Sequence, residues 1–173
     1  MNTTKNIAMN GIGIAMFVVL SLCLQVLVFE NYYLCLGYVV MAVYCYSVGI
    51  VSGTIVGTLG TILYCILING FRGMPGWALG NIVIGLIIGY AFKIGKEMKN
   101  TLLEMIISVI GICIATVLGI GFVKSGVECI LYAQPFLVRM TSNGAACIAD
   151  VIMLIVSLPV CKLLDSQIAK LSK

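Results

Sequence analysis

Residues 49–92, GIVSGTIVGTLGTILYCILINGFRGMPGWALGNIVIGLIIGYAF, decide the class of fold to which this chain belongs. The stretch holds two apolar runs, at residues 50–68 and 77–92, and each approaches the roughly 20 residues that a helix needs to cross a bilayer. The connection at residues 69–81 holds an arginine, a proline, the only tryptophan and four glycines. Because arginine is costly to leave in hydrocarbon, we expect this connection to lie at a face of a membrane.

The whole chain has the composition of an integral membrane protein. Of its 173 residues, 62% are apolar and only 9% are charged, whereas soluble domains are about half apolar and about a quarter charged. The first apolar run continues to Phe29 without a cleavage site, so we expect a retained span and not a signal peptide. Hydropathy therefore predicts an all-α bundle of six helices that forms a single transmembrane domain, residues 1–173. The predicted spans are at about residues 7–29, 34–48, 50–68, 77–92, 102–123 and 144–164.

The basic residues predict the orientation of the bundle. Six spans place both ends of the chain on one side, and the other side carries only Arg72, Lys124 and Arg139. Because basic residues accumulate on the cytoplasmic side, we expect cytoplasmic N- and C-termini in a multi-pass protein of the cell membrane. The seven basic residues on the side of the termini are Lys5, Lys93, Lys96, Lys99, Lys162, Lys170 and Lys173.

Small residues recur at helical spacing in three of the predicted spans. Close backbone approach at small faces holds membrane helices together, so we expect the glycines of spans three and four to pack inside the bundle. The small face of the first span has two interpretations, internal packing or contact with another subunit. The glycines of spans three and four are Gly49, Gly53, Gly57, Gly60, Gly85 and Gly89, and the small face of span one is Ala8, Gly11 and Ala15.

The chain lacks the residues that several kinds of chemistry require. The chain has no histidine, and its eight cysteines form no C-x-x-C pair, so we expect them to be packing residues. Residues 89–97, GYAFKIGKE, resemble a phosphate loop, but the glycines are one residue too far apart and Glu97 replaces the Ser or Thr. We therefore expect no enzymatic activity, no bound metal and no cofactor.

Two carboxylates lie near or within the predicted spans, and an intramembrane carboxylate suggests a function. Glu104 lies within one turn of the basic residues 93–99, and we expect it to pair with a lysine there. Asp150 lies about two turns into the last span, where it either lines a site or pairs with Arg139 or Lys124. These two carboxylates keep an ion-coupled secondary transporter or channel as the alternative function.

Polar and aromatic residues collect in the three segments that are predicted to face outside. Tryptophan offers a stacking face, while asparagine, glutamine, tyrosine and arginine offer directed hydrogen bonds. We therefore expect a ligand pocket at the outer face, and the alternative is an aromatic belt with arginines that reach lipid headgroups. The candidate substrate-binding residues are Asn69, Arg72, Trp77, Asn81, Gln134, Arg139, Asn143 and Tyr32.

Four stretches, taken in order, carry a resemblance to a known family. They are NIAMNGIGIAMFVVL at residues 6–20, YVVMAVYCYSVGIVSGTIVGTLG at 38–60, GMPGWALGNIVIGLIIGYAFK at 73–93 and YAQPFLVRMTSNGAACIAD at 132–150. In these stretches the chain resembles the S components of energy-coupling factor (ECF) importers, and most closely the riboflavin-type group. The likeness covers most of the chain. It rests on the four stretches in this order and not on any single motif.

The resemblance implies a mechanism and two kinds of partner. An S component is a membrane-embedded subunit that captures a vitamin or related micronutrient outside. It then docks on a T subunit that carries two ATPases, and it topples in the membrane to deliver the substrate inward. The resemblance places the docking face on Gly11 and Ala15, with Ala8 as a further member, and it implies no nucleic-acid partner. Gly11 stands where the family more often has alanine, and it keeps the small size.

The chain departs from the family's usual residues before its last span. Gln134 precedes the proline where the family often has an acidic residue, and Arg139 lies near the position of a common lysine. On sequence alone, therefore, the substrate is a vitamin-like molecule of unassigned identity.

Overall fold

A computed structural model describes residues 3–23, 26–29, 32–68, 74–98 and 100–172. The described chain is predominantly helical, as the composition predicts, with one short β-hairpin and one π-helical segment. The elements are α1 (Thr3–Cys23), β1 (Val26–Phe29), β2 (Tyr32–Leu34), α2 (Gly37–Ser47), α3 (Ile50–Ile68), α4 (Met74–Glu97), α5 (Thr101–Thr116), the π segment (Val117–Lys124), α6 (Ser125–Tyr132), α7 (Phe136–Ser142) and α8 (Gly144–Ser172).

Five stretches of the described chain are long and apolar enough to cross a membrane. The helix in the place of the second predicted span is shorter, because α2 has only 11 residues, which is roughly 16 Å at 1.5 Å per residue. Most of α2 is buried among its neighbours, so it forms the centre of the bundle. The five stretches are Thr4–Cys23, Ile50–Ile68, Met74–Glu97, Thr101–Tyr132 and Gly144–Asp165.

The end of the first predicted span was wrong. Helix α1 ends at Cys23, and β1 then pairs with β2 in an antiparallel hairpin, with Val26 opposite Leu34 and Leu27 opposite Tyr33. The sequence of β1, VLVF, is apolar enough to extend a hydropathy run. Its β-branched and aromatic residues nevertheless favour a strand, which hydropathy does not distinguish from a helix.

The fifth predicted span, 102–123, was too short at its end. Beyond α5 the chain stays helical through the π segment and α6 as far as Tyr132, so residues 125–132 are a helix and not part of a connection. The π segment lies where α4 crosses closely, because a Cβ on Gly80 would meet the carbonyl oxygen of Gly119. Helices α4 and α8 also exceed the predicted 77–92 and 144–164, whereas α3 matches the predicted 50–68.

Glycines allow α2, α3 and α4 to approach one another closely, as predicted. A Cβ on Gly53 would collide with Cys45, and one on Gly57 would collide with Met41, both on α2. Between α2 and α3 the chain reverses at Gly49, whose φ of 136° is a conformation that favours glycine. The small residues of these spans therefore serve internal packing.

Side-chain contacts gather the helix ends into two groups. Tyr46 of α2, Lys96 of α4 and Lys162 of α8 meet around Glu104 at the start of α5, and we call this the lysine end. The beginnings of α2 and α4 meet at the opposite end, where Trp77 contacts the Tyr38 hydroxyl, and we call this the tryptophan end. Helices α2, α4 and α8 therefore run in one direction, and α5 runs in the other.

Candidate functional site

A hydrogen-bond network lies at the tryptophan end. The Trp77 indole Nε1 donates to the Tyr38 hydroxyl at 2.9 Å, and that hydroxyl donates to Asn81 Oδ1 at 2.8 Å. The Asn81 Nδ2 donates in turn to Thr61 Oγ1 at 2.5 Å and to the carbonyl oxygen of Gly57 at 3.3 Å. The structure thus brings together two predicted site residues, Trp77 and Asn81, through Tyr38, which the sequence analysis missed.

Trp77 and Asn81 hold different positions in this network. Asn81 is fully buried, and both ends of its amide are engaged, so it ties α2, α3 and α4 together. Trp77 is only half-buried. Its ring packs edge-on against Tyr64, with 5.8 Å between the ring centroids, and the Lys124 Nζ lies 5.9 Å from the indole centroid. Trp77 is therefore the member of the network that can present a flat aromatic surface to a ligand.

Asp150 lies beside the same network. Its side chain is buried, with 6% of the residue exposed, and its carboxylate interacts with the Tyr38 hydroxyl. Among the described side chains none forms an ion pair with Asp150, since Arg139 pairs with Glu128 and Lys124 acts only electrostatically. Asp150 is thus a buried carboxylate without an ion-pair partner among the described side chains, and burying such a charge is costly unless further donors compensate it.

A second polar cluster joins α6, α7 and the start of α8. Asn143 Nδ2 donates to Ser125 Oγ at 3.1 Å and to Glu128 Oε2 at 2.9 Å, and all three residues are buried. An Arg139 terminal nitrogen lies 4.0 Å from Glu128 Oε2, and the guanidinium lies over the Tyr132 ring at 4.6 Å. Glu128 therefore brings together two predicted residues, Arg139 and Asn143.

Sequence reasoning missed Glu128 because it placed residues 124–139 in a connection. The signal that could have found it is the apolar sequence on both sides, in SGVECILY, once that stretch is taken as a helix. The cluster lies at the same end as Trp77, because Gly76 leaves room for Lys124 and Glu128 to pack against the start of α4.

The remaining predicted site residues are Gln134, Tyr32, Asn69 and Arg72. Gln134 is exposed in the turn between α6 and α7, next to Ala133 with its positive φ of 49°. Tyr32 belongs to β2. Asn69 and Arg72 lie outside the described residues. Among the described residues, no group of three or more His, Cys, Asp or Glu side chains could hold a metal ion.

Glu104 pairs with a lysine, as predicted, but this lysine is Lys162 of α8 and not one of the basic residues at 93–99. Lys162 of α8 donates to Glu104 Oε2 at 3.1 Å, and the Tyr46 hydroxyl donates to Oε1 at 2.6 Å. Lys96, one of the basic residues at 93–99, lies in α4 and instead pairs with Asp165 at 2.9 Å. Both oxygens of Glu104 are thus engaged in holding helices together, which gives no support to an ion path through this residue.

The small face of α1 is open. Ala8, Gly11 and Ala15 are all exposed, and a Cβ added to Gly11 would meet no atom within 4 Å. The opposite face carries Gly13 and Phe17, which are buried against α2 and α3. Of the two interpretations of this face, internal packing is therefore wrong.

Comparison with known proteins identifies a family for this chain. A family model described as "ECF-type riboflavin transporter, S component" matches residues 1–166. No curated protein and no solved structure matches the chain. The match spans nearly the whole chain, including all of the stretches that carry the resemblance.

Proposed function

The chain belongs to the S components of ECF-type riboflavin transporters, and we propose that riboflavin is its substrate. An S component is the substrate-binding membrane subunit of an importer, and it works with a T subunit and ATPase subunits. The chain is accordingly a transport protein of the cell membrane, since the family that it matches is one of transporter subunits. The observation that carries the choice of riboflavin is the match of residues 1–166 to the riboflavin-type family.

The chemistry of the tryptophan end supports this choice. Riboflavin has a flat tricyclic ring with an imide N–H and a chain of hydroxyl groups. The half-buried Trp77 ring offers a surface for stacking, and Asp150 offers a buried carboxylate without an ion-pair partner among the described side chains. An N–H or O–H of the ligand would donate a hydrogen bond to the Asp150 carboxylate and offset part of the cost of burying its charge. We therefore place the ring of the substrate against Trp77 and one of its donors on Asp150.

The other candidate residues take supporting positions in the proposal. Asn81 and Tyr38 hold Trp77 in place, and Asn143 holds Glu128 and so orients Arg139. Gln134 lies in an exposed turn, and Arg139 pairs with Glu128. Neither of these departures from the family's usual residues therefore alters the network around Trp77. The surrounding segments contribute the remaining proposed contacts, which are Asn69, Arg72, Tyr32 and Gln134.

For the membrane arrangement, we propose one transmembrane domain of six crossings with both termini in the cytoplasm. The short helix α2 makes the second crossing inside the bundle, where protein instead of lipid surrounds most of it. The opposite directions of α4 and α5 and the basic residues at the lysine end support this arrangement. The tryptophan end then faces outside, from which an importer takes its substrate.

For the partner, we propose that the open face of α1 docks on the T subunit. Ala8, Gly11 and Ala15 are exposed on one face of α1, and small faces allow two membrane helices to approach closely. The exposed neighbours Ile12 and Val19 extend this face with apolar surface. No polar group on the face has to lose a hydrogen-bond partner when a second helix covers it.

Quenching of riboflavin fluorescence by the purified chain tests the substrate. We expect the unmodified chain to bind riboflavin at nanomolar concentrations without ATP. Asp150→Asn and Trp77→Ala should each lower the affinity by about tenfold or more, since each loses one ligand contact. Glu104→Gln is the matched control, because it neutralises a carboxylate at the lysine end and should bind normally. Full affinity in both variants would refute the site, and binding of another vitamin in place of riboflavin would refute the substrate.

A further inference from the structure

The N–H donors of the network around Trp77 are already engaged within the protein. The Trp77 indole donates to the Tyr38 hydroxyl, and the Asn81 amide donates to two acceptors on α3. The neighbouring Asp150, as a carboxylate, can only accept hydrogen bonds. A substrate that brings carbonyl oxygens into this site therefore needs a donor from another residue, since a buried carbonyl without a partner is costly.

Lys124 places an ammonium group beside this network. Its Nζ lies 5.9 Å from the centroid of the Trp77 ring, and its Cγ lies 3.4 Å from the position that a Cβ would take on Gly76. Lys124 is half-buried, and among the described residues it forms no ion pair. Its charge nevertheless acts on Asp150 from beyond ion-pair distance. Arg139, by contrast, is already paired, so Lys124 is the basic residue that is available to a ligand here.

The π segment explains how Lys124 reaches this position. Lys124 is the last residue of the segment, Val117–Lys124, and the next residue, Ser125, donates from Oγ to the carbonyl oxygen of Ile120, five residues earlier. A π turn holds more residues than an α turn, so the residues at its end are rotated relative to those of a continuous α-helix. This rotation brings the Lys124 side chain against the start of α4 at Gly76.

We propose that Lys124 is a substrate-binding residue that selects a ring with an imide edge. The inference rests on the proposed function, because it takes riboflavin as the occupant of the site around Trp77. An imide presents one N–H donor between two carbonyl acceptors. Asp150 accepts the N–H, and Lys124 donates to one of the carbonyl oxygens, so that the substrate bridges two opposite charges that do not pair with each other. A ring with an amino group in place of that carbonyl would present a donor to the ammonium group and would bind poorly.

Calorimetric titration of the purified full-length chain tests this role. The ligands are riboflavin and its 2-thio and 4-thio analogues, in each of which sulfur replaces one imide carbonyl oxygen. Because sulfur is a weak acceptor, one of the two analogues should bind the unmodified chain about tenfold more weakly than riboflavin does. Lys124→Met should bind riboflavin about tenfold more weakly than the unmodified chain does, and it should bind both analogues as well as riboflavin.

A purely structural role for Lys124 predicts a different pattern. The Lys124→Met variant would then lose affinity for all three ligands by the same factor and keep the preference for riboflavin, which would overturn the proposal. Lys124→Arg keeps the charge and the donors, and it should keep that preference. Lys93→Met is the matched control, because it removes an exposed ammonium group near the other end of α4 and should leave all three affinities unchanged.

The unmodified chain separates this inference from the proposed function. If it binds riboflavin and both thio analogues equally well, the role of Lys124 is overturned while the proposed function stands. If it does not bind riboflavin at all, the proposed function fails, and the role of Lys124 fails with it.

Discussion

Gly11 and Gly13, two residues apart on α1, separate the proposed docking face from a packed face. A Cβ on Gly11 would meet no atom within 4 Å, whereas a Cβ on Gly13 would lie 2.6 Å from Cζ of Tyr44 and 2.7 Å from a methyl group of Val56. Gly11→Ala should therefore stabilise the helix by up to about 1 kcal/mol, the difference in helix propensity. Gly13→Ala should instead destabilise the protein by about 1–3 kcal/mol, since the neighbours must shift.

A bulky side chain on the same face should block the partner and spare the fold. Gly11→Trp places an indole where the T subunit is proposed to approach closely. Overpacking of about 1–3 kcal/mol corresponds to roughly 5- to 150-fold weaker association. The assay is co-purification of the variant with a tagged T subunit and ATPases. Titration with riboflavin, which should be unaffected, serves as the check of folding.

Two results with these glycine variants would contradict the proposed docking face on α1. If Gly11→Trp co-purifies with the T subunit as well as the unmodified chain does, the docking face lies elsewhere. If Gly11→Ala lowers the Tm as much as Gly13→Ala, then the face of α1 that carries Gly11 is packed in the folded protein and not open. Ala15→Trp, one turn further along the same face, should behave like Gly11→Trp.

Three further variants distinguish the roles of the buried polar groups. Tyr38→Phe removes the hydroxyl that links the network, and it should weaken riboflavin binding about tenfold in a fluorescence titration; normal binding would contradict the network's role. Asn143→Leu leaves Glu128 without its amide donor, and it should lower stability by about 1–3 kcal/mol in thermal unfolding while weakening riboflavin binding less than Asp150→Asn does. Glu104→Gln should lower stability by about 1 kcal/mol through loss of an ion pair, and a matching loss of riboflavin binding would show that this residue acts in the site.

The sequence predicts the parts of the fold that depend on composition and on small-residue spacing. The bounds of α3 follow from a single apolar run, and the packing of Gly53 and Gly57 follows from their spacing of four. The open face at Gly11 was one of two alternatives, because spacing shows that a face is small without showing what covers it. Hydropathy placed the second span at residues 34–48, but it did not show that the helix covers only Gly37–Ser47, because the apolar residues Leu34 and Val48 lie just outside the helix.

The candidate site was predicted only in part, because its central residues depend on tertiary contacts. Trp77 and Asn81 are prominent in a connection rich in glycine, whereas Tyr38 is one of many apolar or aromatic residues of its helix. Its importance comes from two hydrogen bonds to another helix, each more than 35 positions away along the chain. Glu128 was missed for a related reason, since the π segment that extends the helix to it has no simple sequence signal.

Uptake of labelled riboflavin into proteoliposomes tests most directly that the chain is a substrate-binding subunit and not an autonomous transporter. With the chain alone, we predict binding but no uptake, with or without a proton or sodium gradient. With the T subunit and both ATPases present, we predict uptake that depends on ATP. Uptake by the chain alone, driven by an ion gradient, would contradict this account.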